Sequence, residues 1–74
     1  MNFQKFTAII ERENDGYVSL CPELDIASQG DSVEEAKANL PEAIELFLET
    51  ADKSEIKNRL STEIYITQLK VAVG

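Results

Sequence analysis

Eight apolar side chains, Val33, Ala36, Leu40, Ala43, Ile44, Phe47, Leu48 and Ala51, recur three or four residues apart and draw a single stripe along one helix. No other feature limits the fold as strongly, because a one-sided helix must bury its stripe against another layer. Ser32 and Glu35 spell the S-x-x-E capping box at its start, a device whose loss costs about 1 kcal/mol. Glu34, Glu42, Glu45 and Glu49 fall on the opposite, water-facing side. Pro41 breaks the pattern, since it has no amide to give to the Lys37 carbonyl, a loss of about 3 kcal/mol in a straight helix. Either the helix kinks there or it restarts behind an Asn39 cap with Glu42. The unbroken stripe favours one kinked helix.

The layer for that stripe comes before it in the sequence. Residues 3–11, FQKFTAIIE, are rich in aromatic and β-branched types, and Asn14, Asp15 and Gly16 supply turn chemistry before YVSLC resumes the pattern. In the first strand Phe6, Ala8 and Ile10 share a face, with Phe3, Lys5, Thr7 and Ile9 on the other; in the second, Val18 and Leu20 oppose Tyr17, Ser19 and Cys21. Pro22 ends the ladder, and a third short strand over Ile26 to Gln29 closes at Gly30. After the helix, residues 52–61 read as a polar helix end or a short extra turn, and TEIYITQLKVAVG returns to strand composition. Its alternation slips near Gln68, with Ile64 and Ile66 on even positions but Leu69, Val71 and Val73 on odd ones, so a bulge or a segment buried on both faces is expected. The expected class is therefore α+β with the order β-β-β-α-β. A right-handed crossover would set the last strand parallel to the first, in a mainly antiparallel sheet of order 3-2-1-4 with the helix packed on one face. Residues 1–74 make one domain, because so short a chain buries only about 60% of its unfolded surface and cannot divide its core.

Several kinds of chemistry are excluded. The chain has no histidine and a single cysteine, Cys21, which rules out Ser-His or Cys-His nucleophiles, a zinc site of thiolates and imidazoles, and an internal disulfide. Cys21 reads as a small packed side chain. Asp15, Glu23, Asp25 and Asp31 cluster around turns, and converging carboxylates could hold magnesium for phosphoester hydrolysis. The β-β-β-α-β order also matches the opening portion of an RNase H fold. Such sites, however, need acids in mid-strand and on the facing helix, whereas the first strand offers only Glu11, near its end. Gly16, Gly30 and Gly74 lie too far apart for a phosphate loop. No catalytic residue, metal site or cofactor is expected, and the chain is read as something other than an enzyme.

Seven basic against fourteen acidic residues give a net charge of −7, which repels phosphate backbones and argues against direct nucleic-acid binding. The same charge keeps a small protein in solution or suits a basic partner, and charge alone does not choose. Apolar runs are too short for a membrane span, the N-terminus lacks the pattern of a signal peptide, and the lone cysteine fits a cytoplasmic setting. Tyr17 and the Glu23-Leu24 pair are candidates for recognition; the plainer alternative makes Tyr17 a half-buried strand residue and Leu24 a core anchor.

The run DGYVSLCPELDIASQGDSVEEAKANLPEAIELFLE, residues 15–49, closely resembles the HicB antitoxin family, whose members carry an Asp-Gly-Tyr-Val strand, a Pro-Glu-Leu loop, a Ser-Gln-Gly turn and an acidic Glu-Glu-Ala helix. Here those features correspond to Asp15 to Val18, Pro22 to Leu24, Ser28 to Gly30 and Glu34 to Ala36, followed by Asn39 and Leu40. Pro41 departs from the family, which commonly has a helix-friendly polar residue there. The resemblance is to the short, single-domain, UPF0150-like branch, without the C-terminal DNA-binding module that many HicB proteins carry. It implies a partial RNase H-like fold lacking catalytic residues, neutralisation of a small basic HicA-type mRNA interferase toxin, and assembly as a homodimer or homotetramer. The contact residues expected on this reading are Tyr17, Glu23, Leu24, Asp25, Glu34 and Glu35. The uncovered sheet face, carrying Phe3, Tyr17 or their neighbours, is expected to pack between copies. The alternative function is a degenerate RNase H-like enzyme or a small-ligand-binding module.

Overall fold

The computed structural model describes residues 3–74. Three strands, β1 (Ile9–Glu13), β2 (Gly16–Cys21) and β3 (Ile26–Gly30), form an antiparallel sheet in sequential order, followed by two helices, α1 (Val33–Thr50) and α2 (Lys53–Leu60). The β1–β2 turn is two residues long, and Asn14 takes the left-handed conformation (φ 55°) that asparagine tolerates.

β1 is shorter than the sequence suggests, and Pro22 is the reason. Ile9 pairs with Leu20, so two residues further out Thr7 would lie opposite Pro22, whose missing amide leaves the Thr7 carbonyl without a donor and ends the ladder. The Thr7 amide turns instead to the Glu23 carboxylate, at 2.9 and 3.1 Å, while the Thr7 hydroxyl donates to the same group at 2.7 Å. Residues 3–8 thus stay outside the ladder.

Register also settles which residues share a face. Ile10, Ser19 and Ser28 are paired in a row, as are Cys21 with Ile26 and Arg12 with Tyr17 and Gly30. This is the covered face, because the Ser19 hydroxyl donates to the Ala36 carbonyl of α1 at 2.7 Å. Tyr17 therefore lies on the helix side, and the expectation that it marks the uncovered face is corrected. Ile9, Val18, Leu20 and Ala27 occupy the open face instead.

The core consists of Cys21, Leu24, Leu40 and Ile44, with Phe6, Ile26 and Phe47 packed around it. Helix α1 begins where expected: Ser32 is its N-cap, and its hydroxyl accepts from the Glu35 amide at 3.1 Å. The helix runs through Pro41 without a restart, and Asn39 caps nothing. The Asn39 side-chain amide donates to the Gln29 carbonyl at 2.8 Å, tying the helix to β3. Gly30 admits the helix, since a Cβ there would stand 2.5 Å from the Ala36 nitrogen and 2.8 Å from the Glu35 carbonyl carbon. A Cβ on Gly16 would meet the Gly30 carbonyl oxygen at 2.9 Å.

Two expectations for the C-terminal third are corrected. Of the two readings of residues 52–61, a polar helix end or a short extra turn, the structure departs from the first and extends the second to an eight-residue helix, α2, fastened by Arg59. Its guanidinium donates to the Leu24 carbonyl at 2.6 Å, pairs with Glu55 at 3.0 Å and sits 4.5 Å from the centre of the Phe47 ring. Nor does residue 63 onward form a fourth strand, so the sheet is β1-β2-β3 and not 3-2-1-4. Ser61 and Thr62 form a turn and a bend after α2, and residues 63–74 take up neither strand nor helix.

Candidate functional site

The sequence-predicted contact residues separate to the two ends of the sheet. At the Cys21 end, Leu24 is fully buried and belongs to the core, so it has no surface to offer. Glu23 is engaged within the fold. Burial works against its charge, but hydrogen bonds from the Thr7 hydroxyl, its own amide, the Thr7 amide and the Cys21 thiol outweigh that cost and hold its carboxyl below the usual range. The thiol of Cys21 is pushed up, first by burial and further by the Glu23 carboxylate 3.5 Å away, against opposing backbone hydrogen bonds. Asp25 is exposed in the loop, in a left-handed conformation (φ 54°).

At the other end the hairpin turn, the close of β3 and the start of α1 converge. Tyr17 and Glu35 line one open cleft of about 430 Å³ together with Glu13, Asp15 and Asp31. Glu34, exposed in the first turn of α1, is not part of its lining. The Gly16–Gly30 approach brings the lining acids together, because it lets the hairpin end and the helix start close on one another without a side chain between them. Arg12 crosses the Tyr17 ring 5.4 Å from its centre and donates to the phenol oxygen at 3.2 Å, fixing the ring at the cleft edge.

Of the six residues expected, the structure thus brings Tyr17 and Glu35 together at the cleft, leaves Glu34 and Asp25 outside its lining, and places Glu23 and Leu24 inside the architecture. Glu13 was missed. Its position directly across the two-residue turn from Gly16 was the available signal. The carboxylates weighed as metal ligands are divided, Asp15 and Asp31 at one end and Glu23 and Asp25 at the other; among the described residues no cluster of three or more potential ligands has metal-binding geometry. Among the described residues no helix is long and apolar enough to cross a membrane.

The fold and this acidic end define a small α+β protein with an anionic cleft, and comparison with known proteins gives it a family. A UPF0150 protein of Helicobacter pylori is 36% identical over 66 residues, covering 88% of this chain and 92% of that one. Two UPF0150 proteins of Synechocystis are 51% and 49% identical, each over 47 residues. Those matches take in 61% of this chain and 65% and 60% of theirs, so the chain spans under two thirds of those two relatives. The chain belongs to the UPF0150 family. No family model matches it, and no solved structure matches it significantly.

Proposed function

We propose that this UPF0150 protein is an antitoxin-like interaction protein of the HicB kind, which binds and neutralises a small basic HicA-type mRNA interferase. The observation that carries this reading is the acid-lined end of the sheet. Glu13, Asp15, Asp31 and Glu35 line a cleft that no basic residue lines, in a chain of net charge −7. An interferase must hold RNA phosphates on a cationic face, and the same face is drawn to this cleft. Opposite fields accelerate encounter and disfavour wrong partners. Tyr17, held at the edge by Arg12, offers the partner an aromatic surface whose position is fixed before contact. The three strands and α1 supply the opening part of an RNase H-like arrangement that serves as a scaffold here, with nucleic acid reached only through the bound toxin.

Co-expression tests the proposal. The protein should rescue growth of cells expressing a HicA-type interferase, and Glu34→Lys with Glu35→Lys should slow association about tenfold at low salt, the difference shrinking as salt is raised. A tight, salt-sensitive complex with DNA formed by the isolated protein would overturn the proposal.

A further inference from the structure

The second helix is joined to the body more thinly than its docked position suggests. Among the described residues one hydrogen bond links residues 52–62 to the rest of the chain, that from the Arg59 guanidinium to the Leu24 carbonyl at 2.6 Å. The backbone bonds at the two ends of the helix, from Ile56 to Asp52, from Ser61 to Lys57 and from Thr62 to Arg59, stay within that stretch. No residue of α2 is buried. Ile56 and Arg59 are half-buried on the side facing the body, and the Arg59 guanidinium lies 4.5 Å from the centre of the Phe47 ring.

Nor can α2 stand alone. It has eight residues, whereas a helix in water needs about 12–15 to be even marginally stable. Asp52 occupies its N-cap position without making a side-chain capping bond. The Glu55–Arg59 ion pair lies inside the helix and fastens it to nothing else. The preceding helix, by contrast, closes on its own bond, from the Ala51 amide to the Phe47 carbonyl. Ala51 and Asp52 are both extended (ψ 153° and 148°), so these two residues can turn α2 away without unwinding α1.

We infer that α2 is a latch: it is helical only while docked, Arg59 is its catch, and it opens as one unit while the three strands and α1 stay folded. Each opening bares the Leu24 carbonyl and the Phe47 ring face that Arg59 occupies when closed. It also removes Leu60 from the wall of an apolar groove of about 770 Å³ that Phe6, Leu40, Ile44 and Leu48 line with it. A molecule that binds across any of these surfaces therefore meets two states of one element, and its affinity is coupled to the latch. This device is separate from the acidic cleft and does not depend on the toxin reading.

Native-state hydrogen exchange by NMR, followed as denaturant is raised, tests it on the full chain. The Ile56 to Leu60 amides should share one opening with a small denaturant slope. They should exchange about 100-fold faster than those of Ile44 and Phe47, whose opening carries the slope of global unfolding. Arg59→Ala should lower the protection of the α2 amides about tenfold. Arg59→Lys, which keeps the charge but loses the planar fork, should not restore it. Lys57→Pro denies so short a helix an interior amide, and should leave the amide signals of the strands and α1 in place with a cooperative unfolding transition. Exchange of α2 and α1 through one opening of equal slope, α2 amides with no protection, unchanged protection in Arg59→Ala, or a Lys57→Pro chain that loses its sheet would each overturn the inference.

Discussion

The two ends of the sheet use the same kind of side chain for opposite purposes. At the Cys21 end the ladder stops short of Pro22, and the Thr7 amide, outside it, takes the Glu23 carboxylate as its acceptor, which folds Glu23 inward. At the Tyr17 end the ladder runs to completion at Glu13 and Gly16. Beyond the ladder, the Glu35 amide is met by the Ser32 hydroxyl and the Gln29 carbonyl by Asn39, not by a carboxylate, and Glu13, Asp15, Asp31 and Glu35 are left facing the cleft. Among the described residues the single ion pair, Arg59 with Glu55, lies in neither place. Whether an acid is structural or presented to a partner is therefore decided by local backbone supply, not by residue type or by its place in a motif.

This contrast can be broken most severely at Gly30, on which the cleft end depends. Gly30→Ala forces a methyl group against the backbone of Glu35 and Ala36, and chemical denaturation should show a loss of about 3 kcal/mol. An unchanged midpoint would mean that α1 shifts freely, and that the cleft is not a built feature.

A smaller effect is expected at the tied end. Glu23→Gln keeps the shape but weakens charge-assisted bonds, and should cost about 1–2 kcal/mol near neutral pH. The pH dependence follows from the direction of its shift. A carboxyl held below its ordinary value of 4.5 binds fewer protons folded than unfolded, so its contribution is full above that value and fades as pH falls through the lowered one. Glu23→Gln should accordingly flatten part of the acid side of the stability profile, and an unaltered profile would remove Glu23 from the account of the fold. The smallest effect belongs to Glu34→Lys, exposed in the first turn of α1. Only its favourable position at the helix start is lost, so stability should change by about 0.5 kcal/mol. A much larger drop would mean that the acids at this end are also structural, and the contrast between the two ends would fail.

Much of the body was legible because its signals are local. The Asn14–Gly16 turn, the break at Pro22, the Ser32 cap and the stripe along α1 each follow from a few neighbouring residues, and each is found in place. Sequence reasoning did less well wherever a long-range contact decided the outcome. Glu23 looked like a surface acid until Thr7, sixteen positions away, claimed it. Arg59 reaches back thirty-five positions to Leu24, turning what reads as a polar helix end into a docked helix. The same docking sends residues 63–74 outward despite their strand composition. At the candidate site, Tyr17 was legible as a residue, but the face it occupies depends on its pairing with Arg12 and Gly30. Alternation along a strand gives two faces and does not say which one the helix covers.

The chain's one thiol gives this fold a clock of its own. Cys21 is fully enclosed, and both its surroundings and the neighbouring Glu23 disfavour the thiolate that alkylating reagents need. A reagent can therefore react only during excursions in which the Pro22–Asp25 loop lifts away, and its labelling rate reports how often that happens. The loop is clasped from one side by Thr7 and from the other by Arg59, so the N-terminal segment and α2 both regulate one rate. Loosening either should make Cys21 label faster, and a bound partner that quiets either should slow it, without any probe being added to the protein.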